Sequence, residues 1–171
     1  MSYILIDGYN LIGTVKKNME KEREALIDRL FTFTGVRPHS ITLVFDGWKE
    51  GLPVESRTKK GNVTIIYSRL NETADSVIKR IISEKKRTWI VVSSDREIMR
   101  TAQKFDCFYL TSREFSRKVQ EVMNIERGNL FHSSDEPEED EEYIPQRPRK
   151  KGNPRRLSKK ERKKHKAIKK L

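Results

Sequence analysis

Four acidic residues stand where an apolar run gives way to a turn or where a helix opens. Asp7 follows Tyr3-Ile4-Leu5-Ile6, Asp46 follows Ile41-Thr42-Leu43-Val44-Phe45, and Asp95 follows Trp89-Ile90-Val91-Val92-Ser93-Ser94, while Asp75 comes just after Asn71-Glu72-Thr73-Ala74. Short apolar runs of this kind read as strands buried on both faces. If the strands are parallel and share a sheet, their carboxyl ends share one rim, where open α/β sheets place their sites. Four carboxylates gathered there repel one another unless a cation neutralises them. Hard divalent ions take carboxylate oxygens, and Mg²⁺ keeps several waters while bridging one or two carboxylates to phosphate oxygens. Such an ion activates water and stabilises a phosphodiester under attack, so the implied chemistry is metal-assisted hydrolysis. Asn10, three residues after Asp7 and past the turn at Gly8, can aim its amide into the same crevice.

Each acid also has a plainer reading. Asp7 suits the cap of the next helix or a turn, and Asp75 in a first helical turn favours the helix dipole whatever else it does. Ser94 with Glu97, and Thr111 with Glu114, have capping-box spacing. Other chemistries fit less well. An aspartyl-phosphate enzyme would pair Asp7 with a second acid two residues on, where Tyr9 stands, and neither G-x-G-x-x-G nor G-x-x-x-x-G-K-[ST] occurs. His39, His132 and His165 are scattered over a loop and the tail, which makes a poor ligand set. The single cysteine, Cys107, excludes an internal disulfide and a cysteine zinc cluster, and within Asp106-Cys107-Phe108-Tyr109-Leu110 it reads as a buried, inert thiol.

The elements that must position these residues alternate. Residues 20–34 carry Ala25, Leu26, Leu30 and Phe33 at helical spacing, stopped by Gly35 and Pro38. After the second strand, residues 48–61 read as a long basic loop, in which Trp48 either stacks on a base or packs the loop down. Val63–Tyr67 is a third strand, and a helix with Val77, Ile78, Ile81 and Ile82 as its stripe follows. Residues 89–92 form a fourth strand, about 95–104 a helix, 106–110 a fifth strand, and 111 to about 123 a last helix. This pattern predicts an α/β fold: a mostly parallel sheet, with right-handed crossovers and helices on both faces.

Charge divides the chain. Charged residues make up 36% and hydrophobic ones 35%, too polar for one uniformly packed body of 171 residues. Residues 135–142 hold seven acids and no base, whereas from Tyr143 onward 14 Lys/Arg face the single acid Glu161. A domain over 1–130 is thus expected to carry a disordered tail over 131–171, an acidic linker followed by a basic end. With a net charge of +12, the expected partner is a polyanion, and nucleic acid is the one that matches the phosphodiester chemistry. The cations expected to contact it are Lys59 and Lys60 in the loop and Lys150, Lys151, Arg155, Arg156, Lys159, Lys160, Arg162, Lys163 and Lys164 in the tail. No apolar run approaches the ~20 residues a bilayer crossing needs, and no secretory signal pattern opens the chain, so a soluble, cytoplasmic protein without a membrane partner is expected.

Asp7-Gly8-Tyr9-Asn10, Phe45-Asp46-Gly47, Glu72-Thr73-Ala74-Asp75 and Ser93-Ser94-Asp95 resemble, in order and spacing, the signature blocks of the YacP-like NYN domains of the PIN-like ribonuclease superfamily. The resemblance covers residues 3 to about 125. It implies a three-layer α/β/α PIN-like fold, related to Rossmann folds, with Mg²⁺ or Mn²⁺ dependence and endoribonuclease activity, in a setting of mRNA on ribosomes. By position it implies Asp7, Asp75 and Asp95 as metal-binding acids and Asp46 as a further site acid, with Asn10, Glu72 and Ser94 in support. Glu97 stands where many PIN domains place another acid. The competing reading, from a different class, is a non-catalytic RNA or ribosome adaptor that binds mainly through its tail.

Overall fold

The computed structural model describes residues 1–13, 18–47, 53–84 and 87–126. The expectations for Trp48, for the acidic linker and for the basic tail lie outside these residues. The described chain forms one six-stranded sheet with the order β3-β4-β2-β1-β5-β6. Its strands are β1 (Tyr3–Asp7), β2 (Ser40–Phe45), β3 (Ser56–Lys60), β4 (Val63–Tyr67), β5 (Trp89–Val92) and β6 (Phe108–Leu110). All neighbours pair in parallel except the edge strand β3, which runs antiparallel to β4.

The helices are α1 (Gly8–Ile12), α2 (Met19–Val36), α3 (Ala74–Ser83), α4 (Arg96–Lys104) and α5 (Ser112–Glu126). Successive strand residues point to opposite faces, so the apolar runs feed two cores at once. Ile4, Ile6, Ile41, Leu43 and Phe45 meet Leu26, Leu30 and Phe33 of α2 and Phe115, Val119 and Val122 of α5. On the other face Leu5, Val44 and Val91 meet Val77, Ile78 and Ile82 of α3 and Ile98 and Ala102 of α4. This is the three-layer α/β/α arrangement. From β1 the chain crosses first to β2 and β4 on one side and later to β5 and β6 on the other, so β1 is the topological switch point.

The structure departs from the sequence reading in four places. Residues 8–12, where the sequence reading places a turn at Gly8 and no element of its own, form the five-residue helix α1, too short to show a hydrophobic period. The loop expected over 48–61 contains β3, whose Arg57, Thr58, Lys59 and Lys60 are all exposed, so an edge strand covered on neither face left no apolar alternation to read. It turns back through Gly61 and Asn62, with Lys60 opposite Val63. Gly61 has φ +57°, and a Cβ there would lie 2.7 Å from the Phe31 ring. Gly35 does not end α2, which continues to Val36 before Arg37 caps it. Finally, Ser94 and Glu97 do not form a capping box. Asp95 caps α4 itself, its Oδ1 accepting from the backbone N–H of Glu97 at 2.6 Å and of Ile98 at 3.1 Å. The box expected at Thr111 and Glu114 is present: the Thr111 N–H donates to the Glu114 carboxylate at 2.7 Å, and the Glu114 N–H donates to the Thr111 hydroxyl at 3.2 Å.

Gly8 is required for a steric reason. A Cβ there would sit 2.2 Å from Cε1 of Phe45, whose ring is fully buried. Gly8→Ala is therefore expected to lower stability by about 1–3 kcal/mol through overpacking, read as the urea midpoint. The double variant with Phe45→Leu should recover part of the loss, and an unchanged midpoint for Gly8→Ala alone would contradict this contact.

Candidate active site at the carboxyl rim of the sheet

The parallel sheet delivers the acids as the spacing requires. Asp7 ends β1, Asp46 follows β2, Asp95 lies between β5 and α4, and Asp75 sits in the first turn of α3. Asp7 is 7% exposed. Its Oδ1 accepts from the Asn10 N–H at 3.1 Å, capping α1, and its Oδ2 faces the Ser93 hydroxyl at 3.4 Å. The plainer reading of Asp7 as a cap is thus true, and the cap points into the rim. Asp46 accepts from the Ala74 N–H at 2.5 Å, which ties the start of α3 to the end of β2 and sets where Asp75 enters. The Ser93 hydroxyl also accepts from the Asp95 N–H at 3.0 Å, linking the Asp7 and Asp95 loops.

Electrostatics couples these carboxylates. Burial pushes the Asp7 carboxyl up from 3.8 to about 6; the Asn10 N–H pulls it back, while Asp75 and Asp46 raise it further. Burial also raises Asp75, with added repulsion from Asp95, Asp46 and Glu97 against the pull of Lys79. Glu97 is an exposed outer acid, paired with Lys79 at 2.8 Å. Glu72 faces cations instead, with Arg69 at 3.2 Å and Arg80 at 3.6 Å, and Arg80 also binds Glu55. Glu72 therefore anchors the approach to α3.

Asn10 occupies the centre of a second network. Its Oδ1 accepts from the Ser94 N–H at 2.9 Å and from the Ser112 hydroxyl at 2.7 Å, and the Ser112 N–H reaches the Ser94 hydroxyl at 3.4 Å. With its oxygen taken by two donors, the amide is held so that Nδ2 is the group left to donate. Ser93 and Ser112 were not singled out by the sequence reading. Ser112 opens a helix after β6, so its place on the same parallel rim was the available signal.

Among the described residues, no three or more Asp, Glu, His or Cys side chains form a group placed to hold a metal ion. The donor chemistry nonetheless suits a hard divalent ion: all the acids are oxygen donors, the neighbouring carboxylates raise the affinity of Asp7 and Asp75 for positive charge, and Mg²⁺ needs only one or two carboxylates when water fills the remainder of its shell. Of the expected RNA contacts in the domain, Lys60 pairs with Asp28 at 2.5 Å and lies over the Phe31 ring, whereas Lys59 is exposed on β3. Cys107 lies just before β6, buried as expected, and burial raises its thiol. No helix among the described residues is long and apolar enough to cross a membrane.

Fold and rim together define a nuclease-type, PIN-like α/β domain. The chain belongs to the YacP-like NYN domain family, whose model it matches over residues 4–170, a stretch that runs on through the charged tail. It is 32% identical over 89 residues to the uncharacterized protein YacP of Bacillus subtilis (strain 168); the matched stretch is 47% of this chain and 51% of that protein, about half the length of each. Among solved structures it is similar to Rae1 (YacP) from Bacillus subtilis at 25% identity. A tryptophan-to-leucine mutant of that protein matches with a TM-score of 0.61, covering 74% of this chain and 80% of the other. The structure without that mutation matches at 0.58, covering 75% and 79%.

The raised Asp7 carboxyl makes stability depend on pH in a defined direction. The unfolded carboxyl loses its proton near 3.8 and the folded one near 6, so charging Asp7 costs the fold nothing below the lower value and its full penalty above the higher one. Without divalent ions, Asp7→Asn should therefore stabilise the protein at pH 8, by an amount on the order of 3 kcal/mol. The gain should shrink to nothing as pH falls toward 4. Urea titrations of both proteins across this range check it, and a difference that does not vary with pH would contradict it.

Proposed function

We propose that this chain is a metal-dependent endoribonuclease acting in the cytoplasm, with mRNA on ribosomes as the setting that the family resemblance suggests. The observation that carries the reading is the buried Asp7 carboxylate, raised to about 6 and pressed by Asp75 and Asp46 at the switch point of a parallel sheet. One or two of Asp7, Asp75 and Asp95, with water completing the shell, would hold Mg²⁺ or Mn²⁺, which when bound supplies an activated water and charge stabilisation for the phosphodiester.

The chain's own residues do the remainder. The Asn10 amide, fixed by Ser94 and Ser112, donates from Nδ2 to a phosphate oxygen. Ser93 holds the Asp7 and Asp95 loops in register. Asp46 fixes the entry of α3, and the exposed Lys59 together with the basic tail draws the strand in.

The tail supports a second reading. Its 14 Lys/Arg would bind RNA without any catalytic site, which would make the chain an adaptor. Cleavage of RNA on purified translating ribosomes, read as new 5′ ends, separates the two. The nuclease reading predicts cleavage that EDTA abolishes, and a fall of about a hundredfold or more in Asp7→Asn and Asp95→Asn with the fold retained. Asparagine serves well as a helix cap, so Asp95→Asn keeps α4 in place. RNA binding that EDTA leaves unchanged and that deletion of residues 143–171 eliminates, with no cleavage, would establish the adaptor instead.

A further inference from the structure

The acids explain where a phosphodiester reacts but not what holds RNA there, because a negative rim repels phosphates. On the α2 side of the same rim lies a group that the chemistry above leaves unused. Tyr67 ends β4 directly opposite Phe45, the residue before Asp46. The two rings stack at 5.6 Å and 22°, and Tyr9, two residues after Asp7, meets Phe45 edge-on at 5.2 Å. The guanidinium of Arg23, from α2, lies over the Tyr67 ring, 5.9 Å from its centroid.

Packing alone would be served as well by phenylalanine or leucine at the tyrosine positions. Instead Tyr9, Tyr67 and Arg23 are all half-buried, and among the described residues neither phenol hydroxyl has a hydrogen-bond partner and Arg23 has no ion pair. Burial raises the Tyr67 hydroxyl; Arg23 pulls it back, while Tyr9 and the α2 acids Glu20 and Glu24 push it up, so Arg23 is the cation facing this ring pair. A guanidinium backed by an aromatic face is a plane on which a nucleobase stacks, and adjacent hydroxyls can meet its edge or a ribose 2′-OH. Stacking needs no charge on the ligand, so it works beside carboxylates where a phosphate contact does not.

We propose that Arg23 and Tyr67, backed by Phe45 and bordered by Tyr9, form a nucleobase subsite that stacks one base of single-stranded RNA beside the acids. The subsite rests on the nuclease reading only for placing RNA at this rim.

The test uses the full chain in EDTA, where metal-dependent cleavage is stopped, and at raised salt to weaken the tail's contribution. The probes are a short single-stranded RNA carrying 2-aminopurine and an abasic phosphate backbone of equal length. The wild-type protein should quench the fluorescence of the RNA. Arg23→Ala should lose the quench and bind the RNA about tenfold more weakly, while binding the abasic chain like wild type. Arg23→Lys, which keeps the charge but not the plane, should lose the quench as well. Wild-type quench and affinity in both variants would overturn the subsite even if the protein cleaves RNA. Loss of quench in both, in a protein that cleaves nothing with Mg²⁺, would uphold the subsite and contradict the nuclease reading alone.

Discussion

The structure depends on keeping a carboxylate at the end of a strand that is buried on both faces. Asp7 is the last residue of β1, the strand on which the sheet's connections switch sides, and it is nearly closed off from solvent. Such a group is expensive to charge, and the surroundings reduce that cost only in part. One oxygen receives the Asn10 N–H, and the other faces a serine hydroxyl at the long end of hydrogen-bond range. Asp46 and Asp75 add repulsion. A fold selected for stability alone would place an amide or an apolar side chain here, so the buried carboxylate, raised above its ordinary range, marks a position of the kind found at functional sites.

The surrounding elements bring the acids to one rim without neutralising them. Asp46 is engaged by the first N–H of α3 and Asp95 by the first turn of α4, and both interactions use helix N-termini, whose partial positive charge tolerates a carboxylate. The strong cations lie further out: Lys79 is taken by Glu97, and Arg80 by Glu55 and Glu72. The rim thus remains negative at its centre, with its loops cross-linked by Ser93, Ser94, Asn10 and Ser112. Two dense cores, one against α2 and α5 and one against α3 and α4, keep the strand ends fixed while the short loops carry the chemistry.

Much of this was legible in the sequence, because fully buried parallel strands leave uninterrupted apolar runs, and β1, β2, β4 and β5 were readable to within a residue. The four acids were legible for the same reason, since each directly follows a run or opens a helix. What escaped was whatever carries no hydrophobic period. The exposed β3 reads as loop, and α1 is shorter than the window in which periodicity shows. The Ser94–Glu97 spacing suggested a box that Asp95 pre-empts, because a carboxylate one residue closer to the helix receives both N–H groups at once. Ser112 and the Arg23–Tyr67 pair were invisible for a different reason: their partners are 102 and 44 residues away in sequence and meet only through the sheet.

The most direct measurement of the central claim is an NMR titration of the Asp7 side-chain carboxyl carbon, with and without saturating Mg²⁺. The account predicts a midpoint near 6 in the metal-free protein, falling toward the ordinary aspartate range when the ion is added, because the cation competes with the proton for the same buried charge. A midpoint in the ordinary range without metal, or one near 6 that Mg²⁺ leaves in place, would contradict it.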